Sequence, residues 1–423
     1  MPHCLRFPLH SRSDPSDVIL APPSPYHFLM NAIERTLDEL PRTNAKVLYD
    51  RAYALRLGDG VRVNFRAAHR FFMLAALMGH RAAFFQLGLM NLRGEGRPPD
   101  SVHAAMWLKL SVRHDEPRAE RNLQMVASDL TRAQLKTAFA LADAFPHAAM
   151  HFRAALGDTD PNALVAIGEA FALGYGVDRD PEMATEWYRR ALRFRHPRAQ
   201  TLLGLAYLHG EGAERHREEG MRLLKLAADQ GYADAQYELA LALYAHTSSR
   251  AQAIALFESA AHHGHLRAQV KLGALYKAGG VGHAPTSHRH NAPHMKHAFE
   301  WFDKAAAQGD TEARFELGQM LAQGLGTKQD FERAAECFLQ AASSGHAKAA
   351  FNLGFLYAHG QGMDQDESKA YQWYRVSELA GYALGKQSAA LVAKKLSAGE
   401  KELADWRADS FLNQLSLGQG ISA

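Results

Sequence analysis

One apolar phrase returns along the chain at a nearly constant interval. It reads AQTLLGLAYLHGEG at 199–212, ARFELGQMLAQGLG at 313–326 and AAFNLGFLYAHGQG at 349–362. Looser copies are ALVAIGEAFALGYG at 163–176, AQVKLGALYKAGGVG at 268–282 and AFFQLGLMNLRGEG at 83–96. The glycine of the "LG" pair sets the period: Gly168, Gly204, Ala240 in its place, then Gly273, Gly318 and Gly354, in steps of 36, 36, 33, 45 and 36 residues. A period near 36 is the length of a helix–turn–helix solenoid unit.

Each unit parses into two helices. Helix A carries the apolar phrase, with small residues such as Ala199 and Gly204 where a neighbouring helix must approach closely. A G-x-G pair ends it, because glycine tolerates the positive φ of a helix C-terminus and its following turn. Helix B follows, as in DPEMATEWYRRAL at 180–192. Asp180 is placed to cap it and Pro181 to occupy its first position. Ala184, Trp187, Tyr188 and Ala191 then fall at i, i+3, i+4 and i+7, which makes one apolar face. A second turn reads AADQGY (227–232), AAHHGH (260–265), AAAQGD (305–310) or AASSGH (341–346). No unit can bury both of its faces alone, so stability must come from stacking.

The helix A phrase, A-x-x-x-L-G-x-x-Y-x-x-G-x-G, and the helix B phrase, seen in HAFEWFDKAAAQG at 297–309 and loosely in KAYQWYRVSELAG at 369–381, resemble the Sel-one-like repeat, a relative of the tetratricopeptide repeat. Six units lie in 163–382 and two in about 45–116, so the resemblance covers about two thirds of the chain. Unit 233–265 lacks the G-x-G, and unit 266–310 carries about nine extra residues. The resemblance implies an all-α, right-handed α-solenoid that binds partners along a concave helix A face.

Two stretches suggest two stacked arrays, each with a helical cap. LTRAQLKTAFALADAF (130–145) and LSAGEKELADWRADSF (396–411) both open on a capping box, Thr131 with Gln134 and Ser397 with Glu400. Solenoids need such atypical terminal units. The expected division is a Pro-rich, disordered 1–25, a first array over 26–145 with a first helix near 26–40, a second array over 146–417, and a short flexible tail at 418–423. The first 25 residues hold 6 of the 16 prolines, too many for a helix.

Composition removes several function classes. The 423 residues carry 48 Lys and Arg against 45 Asp and Glu, a net charge of +3, without the basic excess of a dedicated nucleic-acid binder. No run approaches 18 consecutive apolar residues, so no membrane insertion is expected. No secretory signal pattern opens the chain, and a cytoplasmic location is the expectation. The two cysteines, Cys4 and Cys337, make neither a disulfide framework nor a Cys-rich zinc module. Cys337 reads as a buried small hydrophobe in helix B.

Chemistry-bearing motifs are few. There is no phosphate-binding G-x-x-x-x-G-K-[ST], no H-E-x-x-H and no G-x-S-x-G. No nucleophile–base set emerges, so neither an enzyme nor a bound cofactor is expected. The loop 283–297 is His-rich, and His288, His290, His294 and His297 are weak metal candidates against the reading of a solvated insertion.

The helix A faces carry the functional reading. Three residues before the LG glycine stand Thr201, Tyr237, Val270, Phe315 and Phe351; one residue after it stand Leu205, Leu241, Ala274, Gln319 and Phe355. Further along are Lys277, Gln323 and His359. The partner-binding candidates are Tyr237, Val270, Lys277, Phe315, Gln319, Phe351, Phe355 and His359. Two interpretations remain open for the aromatic members: they line a groove, or they fill the core of a tight superhelix. The expectation is a non-enzymatic scaffold for a protein partner. The alternatives are a hydrolase-like activity credited to some relatives and a metal-responsive regulator acting through 283–297.

Overall fold

The computed structural model describes residues 43–157, 159–279 and 293–419. The expectations for 1–25, for a helix at 26–40, for His288 and His290 and for the last four residues lie outside that range. The described residues form twenty α-helices and no strand. They fall into two compact units, residues 1–220 and 221–423.

The first unit runs through α1 (Ala45–Leu57), α2 (Phe65–Leu77), α3 (Ala82–Arg93), α4 (Ser101–Val112), α5 (Ala119–Asp129), α6 (Arg132–Ala155), α7 (Pro161–Leu173), α8 (Pro181–Leu192) and α9 (Pro197–His209). Helix α10 (Arg217–Asp229) carries the chain across the division. The second unit holds α11 (Ala233–Tyr244), α12 (Arg250–His262), α13 (Leu266–Lys277), α14 (Pro293–Ala307), α15 (Thr311–Gln323), α16 (Phe331–Ala342), α17 (Ala347–His359), α18 (Glu367–Leu379), α19 (Ala383–Val392) and α20 (Ala398–Gln419).

Caps explain why the helices begin where they do. Asp180 Oδ1 accepts from Met183 N at 3.2 Å, and Asp330 and Asp366 cap α16 and α18 in the same way. Thr131 with Gln134 and Ser397 with Glu400 close the two expected capping boxes. The first glycine of each G-x-G pair, as in Gly174 and Gly360, takes the left-handed C-cap conformation. The second sits against the backbone of an earlier helix: a Cβ at Gly362 would stand 2.5 Å from Phe331 C, and one at Gly176 2.8 Å from Ala144 C.

The LG glycine seats a large side chain of helix B, twenty residues on in units without an insertion. A Cβ at Gly168 would come within 2.5 Å of Tyr188 Cε1, at Gly318 within 2.7 Å of Phe338 Cε1, and at Gly354 within 3.0 Å of Tyr374 Cδ1. In the longer unit Gly273 meets Phe302. Helix B therefore buries its aromatic stripe on the bare backbone of helix A. In α8 that stripe is Ala184, Trp187, Tyr188 and Ala191, all buried.

The stretch 146–160 begins within α6 and runs past its end at Ala155 to the Asp160 cap of α7. Helix α6 continues through Pro146 to Ala155, although proline removes one backbone hydrogen bond there. Its buried face overrides that cost. Phe145 packs edge-on to Phe84 and Trp107, and Phe152 packs edge-on to Trp187, so one helix joins the second and third repeats. At the other end, α20 extends to Gln419, past the expected start of the tail at 418.

Candidate functional site

Within the second unit, helices α11, α13, α15 and α17 are the successive A helices. Their LG register sorts the predicted residues into two classes. Three residues before the glycine, Tyr237 is half-buried against Phe257 and stacks on His265 at 4.6 Å. Val270 packs onto the large core. Phe315 is 5% exposed and lies between Phe338 and His346. Phe351 sits half-buried between Tyr374 and Tyr382, each 5.3 Å away. This row fills the space between helices. Phe315 is therefore a core residue and not a free anchor, because the helix B ring beneath it and the His346 cap close over it. Thr201, at the same register in the first unit, is buried and bonds back to Pro197 O.

One residue after the glycine the side chains stay open. Leu241, Ala274 and Phe355 are exposed and Gln319 is half-buried. Phe355 is 42% exposed. His359, one turn on, lies 4.1 Å from its ring and takes Nδ1 to Phe355 O at 2.9 Å. Lys277 is tied to Glu316 and lies 3.3 Å from Gln319 Oε1, which stitches α13 to α15 along the same row. The open surface is thus Leu241, Ala274, Gln319, Phe355 and His359, with the Lys277–Glu316 pair between.

Of the His candidates, His294 opens α14 half-buried, and His297 is exposed, 3.4 Å from Glu300 and 5.2 Å from the Tyr276 ring. Among the described residues no group of three His, Cys, Asp or Glu side chains is placed to hold a metal ion. Cys337 is half-buried on the core, and burial pushes its thiol up to about 11.

A second site, in the first unit, was not foreseen. Asp178, in the turn between α7 and α8, is 1% exposed. Trp107 Nε1 donates to its Oδ1 at 2.9 Å, and Asn91 Nδ2 to its Oδ2 at 2.8 Å. His69 Nε2 stands 2.8 Å and Arg97 Nη1 3.3 Å from Oδ2. Burial alone would raise this carboxyl; the His69 bond and the charges of His69, Arg97 and His103 overcome it and hold Asp178 far below the ordinary carboxylate range. Beside it, Arg70 places Nε and Nη2 on Asp180 at 2.6 and 2.8 Å and Nη2 on Glu182 at 2.6 Å, while Arg66 reaches Glu182 from outside. His103 is 2.7 Å from Asp100; burial lowers its pKa, but that bond and the charges of Asp178 and Asp100 leave it raised.

Of these groups, Arg66, His69, Arg70, Arg97, Asp178 and Asp180 border a cleft of about 350 Å³ whose walls also include Met73, Leu74, Phe171 and Met183. The residues come from three repeats, separated by up to 117 positions between Arg66 and Met183. The available signal was local: His69 and Arg70 interrupt the apolar FRAAHRFFMLAAL, and Asn91 interrupts QLGLMNL. Polar side chains on an otherwise apolar helical face need buried partners.

Comparison with known proteins identifies the repeat. The model of the Sel1 repeat matches residues 45–80, 82–115, 161–193, 197–232, 233–265, 266–310, 311–346 and 347–382. An uncharacterised protein of Neisseria meningitidis serogroup B is 31% identical over 160 residues, 33% of this chain and 34% of that one. A Sel1-like repeat-containing protein of Schizosaccharomyces pombe is 43% identical over 49 residues, 12% of this chain and 7% of the other. The chain thus spans about a third of the first relative's length and far less of the second's. Among solved structures, a protective antigen of uropathogenic Escherichia coli with an SLR fold is 24% identical, covering 89% of this chain and 94% of its own at a TM-score of 0.41. A Sel1 repeat protein from Oxalobacter formigenes is 29% identical, covering 52% and 88% at a TM-score of 0.44. No helix of the described residues is long and apolar enough to cross a membrane. Eight matched units, a G-x-G turn that recurs in six of them, and a glycine seat for helix B together make this chain a member of the Sel1 repeat family.

Proposed function

We propose that the chain is a non-enzymatic scaffold that holds a segment of a protein partner along the open side of its A helices in the second unit. Sel1 repeat proteins are typically protein–protein interaction scaffolds. The single observation that supports this face is that Leu241, Ala274 and Phe355 are exposed at one register, with Gln319 half-buried among them, while the residues three before the glycine are half-buried or buried. Phe355 with His359 is its aromatic end, and aromatic anchors surrounded by polar groups dominate interface energies. The Lys277–Glu316 pair and Gln319 supply the polar middle.

The test is capture by the purified full chain of partners from native lysate, followed by identification of what is bound. The double variant Leu241→Ser with Phe355→Ser should lose the specific partner at unchanged helical content. Leu57→Ser, at an exposed residue of α1 in the first unit, should retain it. Equal retention by both variants would move recognition off this face.

A further inference from the structure

The cleft in the first unit is a built site with more donors than it uses. Its carboxylates are satisfied: Asp178 takes Trp107, Asn91, His69 and Arg97, and Asp180 takes Arg70 and the backbone N–H of Met183. Glu182 takes Arg66 and Arg70. Its guanidiniums are not. A guanidinium carries five N–H donors. The bonds above engage Nε and Nη2 of Arg70, one Nη of Arg66 and one Nη of Arg97. Among the described residues, each of these three side chains therefore keeps N–H groups beyond the bonds given, while none of the acid groups is left wanting a donor. Two of the cations are held from behind, Arg70 by Asp180 and Glu182 and Arg97 by Asp178, so their positions are set before anything arrives. Arg66 pairs with Glu182 from the open side, and its side chain is 53% exposed.

We propose that this cleft receives a carboxylate carried by an acidic–apolar peptide segment, its oxygens taken by Arg66, Arg70 and Arg97 and a neighbouring apolar side chain laid on Met73, Leu74 and Phe171. A carboxylate is the acceptor that a fork of guanidinium donors binds best, through charge-assisted and often paired bonds. The volume of about 350 Å³ admits one or two side chains and not a folded domain. The mixed lining excludes a purely polar ligand, since Met73, Leu74, Phe171 and Met183 would be left facing it without a partner. This site is in the first unit and does not depend on the helix A row of the second.

The experiment is fluorescence anisotropy with the full chain and a labelled hexapeptide of alternating Glu and Leu. The same peptide with Gln for every Glu is the control, and free glutarate is the small-molecule competitor. The Glu peptide should bind at least tenfold more tightly than the Gln peptide. Arg66→Gln, at an exposed side chain whose loss leaves the fold intact, should weaken it at least fivefold. Arg97→Lys keeps a cation beside Asp178 but removes the fork, and should weaken it as well without lowering the melting temperature by more than a few degrees. Equal binding of both peptides, or an Arg66→Gln variant that binds unchanged, would overturn the proposal. Binding of glutarate without binding of the peptide would overturn the peptide as its source.

Discussion

The turns at 174–180 and 360–366 spell the same pattern, GYGVDRD and GQGMDQD, and end in opposite conditions. In both, the second aspartate caps the following helix: Asp180 bonds Met183 N, and Asp366 bonds Lys369 N. The first aspartate differs. Asp178 is sealed under His69, Asn91, Arg97 and Trp107, whereas Asp364 is exposed. Beside the open turn, Phe355 and His359 are open too. The motif fixes the path of the backbone; the neighbours decide whether its side chains become internal ties or remain for a partner. In the first unit α6 carries the third repeat onto the second, and the turn closes. In the second unit the repeat at 347–382 leaves its helix A end uncovered.

The largest effect should come from the sealed aspartate. Asp178→Ala leaves the buried His69 and the half-buried Arg97 without their carboxylate, a loss of about 3–5 kcal/mol by the usual cost of breaking a buried pair. Asp364→Ala should stay within about 0.5 kcal/mol, as exposed substitutions do. Urea unfolding of the two variants checks this, and equal losses would break the comparison.

The two rows of helix A should separate almost as widely. Phe315→Ala removes a core ring and should cost about 3–5 kcal/mol. Phe355→Ala, at a ring already 42% exposed, should cost under about 1 kcal/mol. Next comes the glycine seat: Gly354→Leu would drive a side chain into Tyr374 and Ala370 O and should cost about 1–3 kcal/mol or more.

The smallest effect is pH dependent. His196 and His265 cap their helices as neutral rings, Nδ1 accepting from Ala199 N at 3.4 Å and Ala268 N at 3.1 Å. Their other nitrogens lie 3.2 Å from Asn162 Oδ1 and 3.4 Å from Asp234 Oδ1. Burial, with Arg198 beside His196, lowers the first pKa against the opposing charges of Asp160 and Glu169. Burial lowers the second too, with Asp234 opposing and Arg267 adding to it. A folded-state pKa below the unfolded one gives stability that is whole above about pH 6.5 and is lost as pH falls below it. Each cap is worth about 1 kcal/mol. Thermal melts from pH 7.5 to 5.5 should show this loss, and His196→Asn with His265→Asn should flatten it, because an Asn oxygen accepts at every pH.

Much of the fold was legible in the residues. The LG glycines gave the repeat, the G-x-G pairs gave the helix ends, and Asp180, Thr131 and Ser397 gave the starts, because each is a local rule. The course of the helix through Pro146 was not, since Phe145 and Phe152 on either side of that proline pack on different repeats. The candidate surface was half legible. Phe351 and Phe355 lie four residues apart, about 40° around one helix, so sequence puts them side by side. Which is covered depends on Tyr374 and Tyr382, which belong to other helices. The Asp178 cluster could not be read from the turn at all, since an identical pattern recurs at 360–366 without it.

The most direct test of the open row is photocrosslinking from within it. Benzoylphenylalanine placed at Phe355 and, separately, at Phe315 should both leave a folded, purified full chain, the second by checking for retained helical content. On irradiation with the captured partner, position 355 should yield a crosslinked adduct and position 315 should yield only internal products. An adduct from 315 and none from 355 would contradict the account.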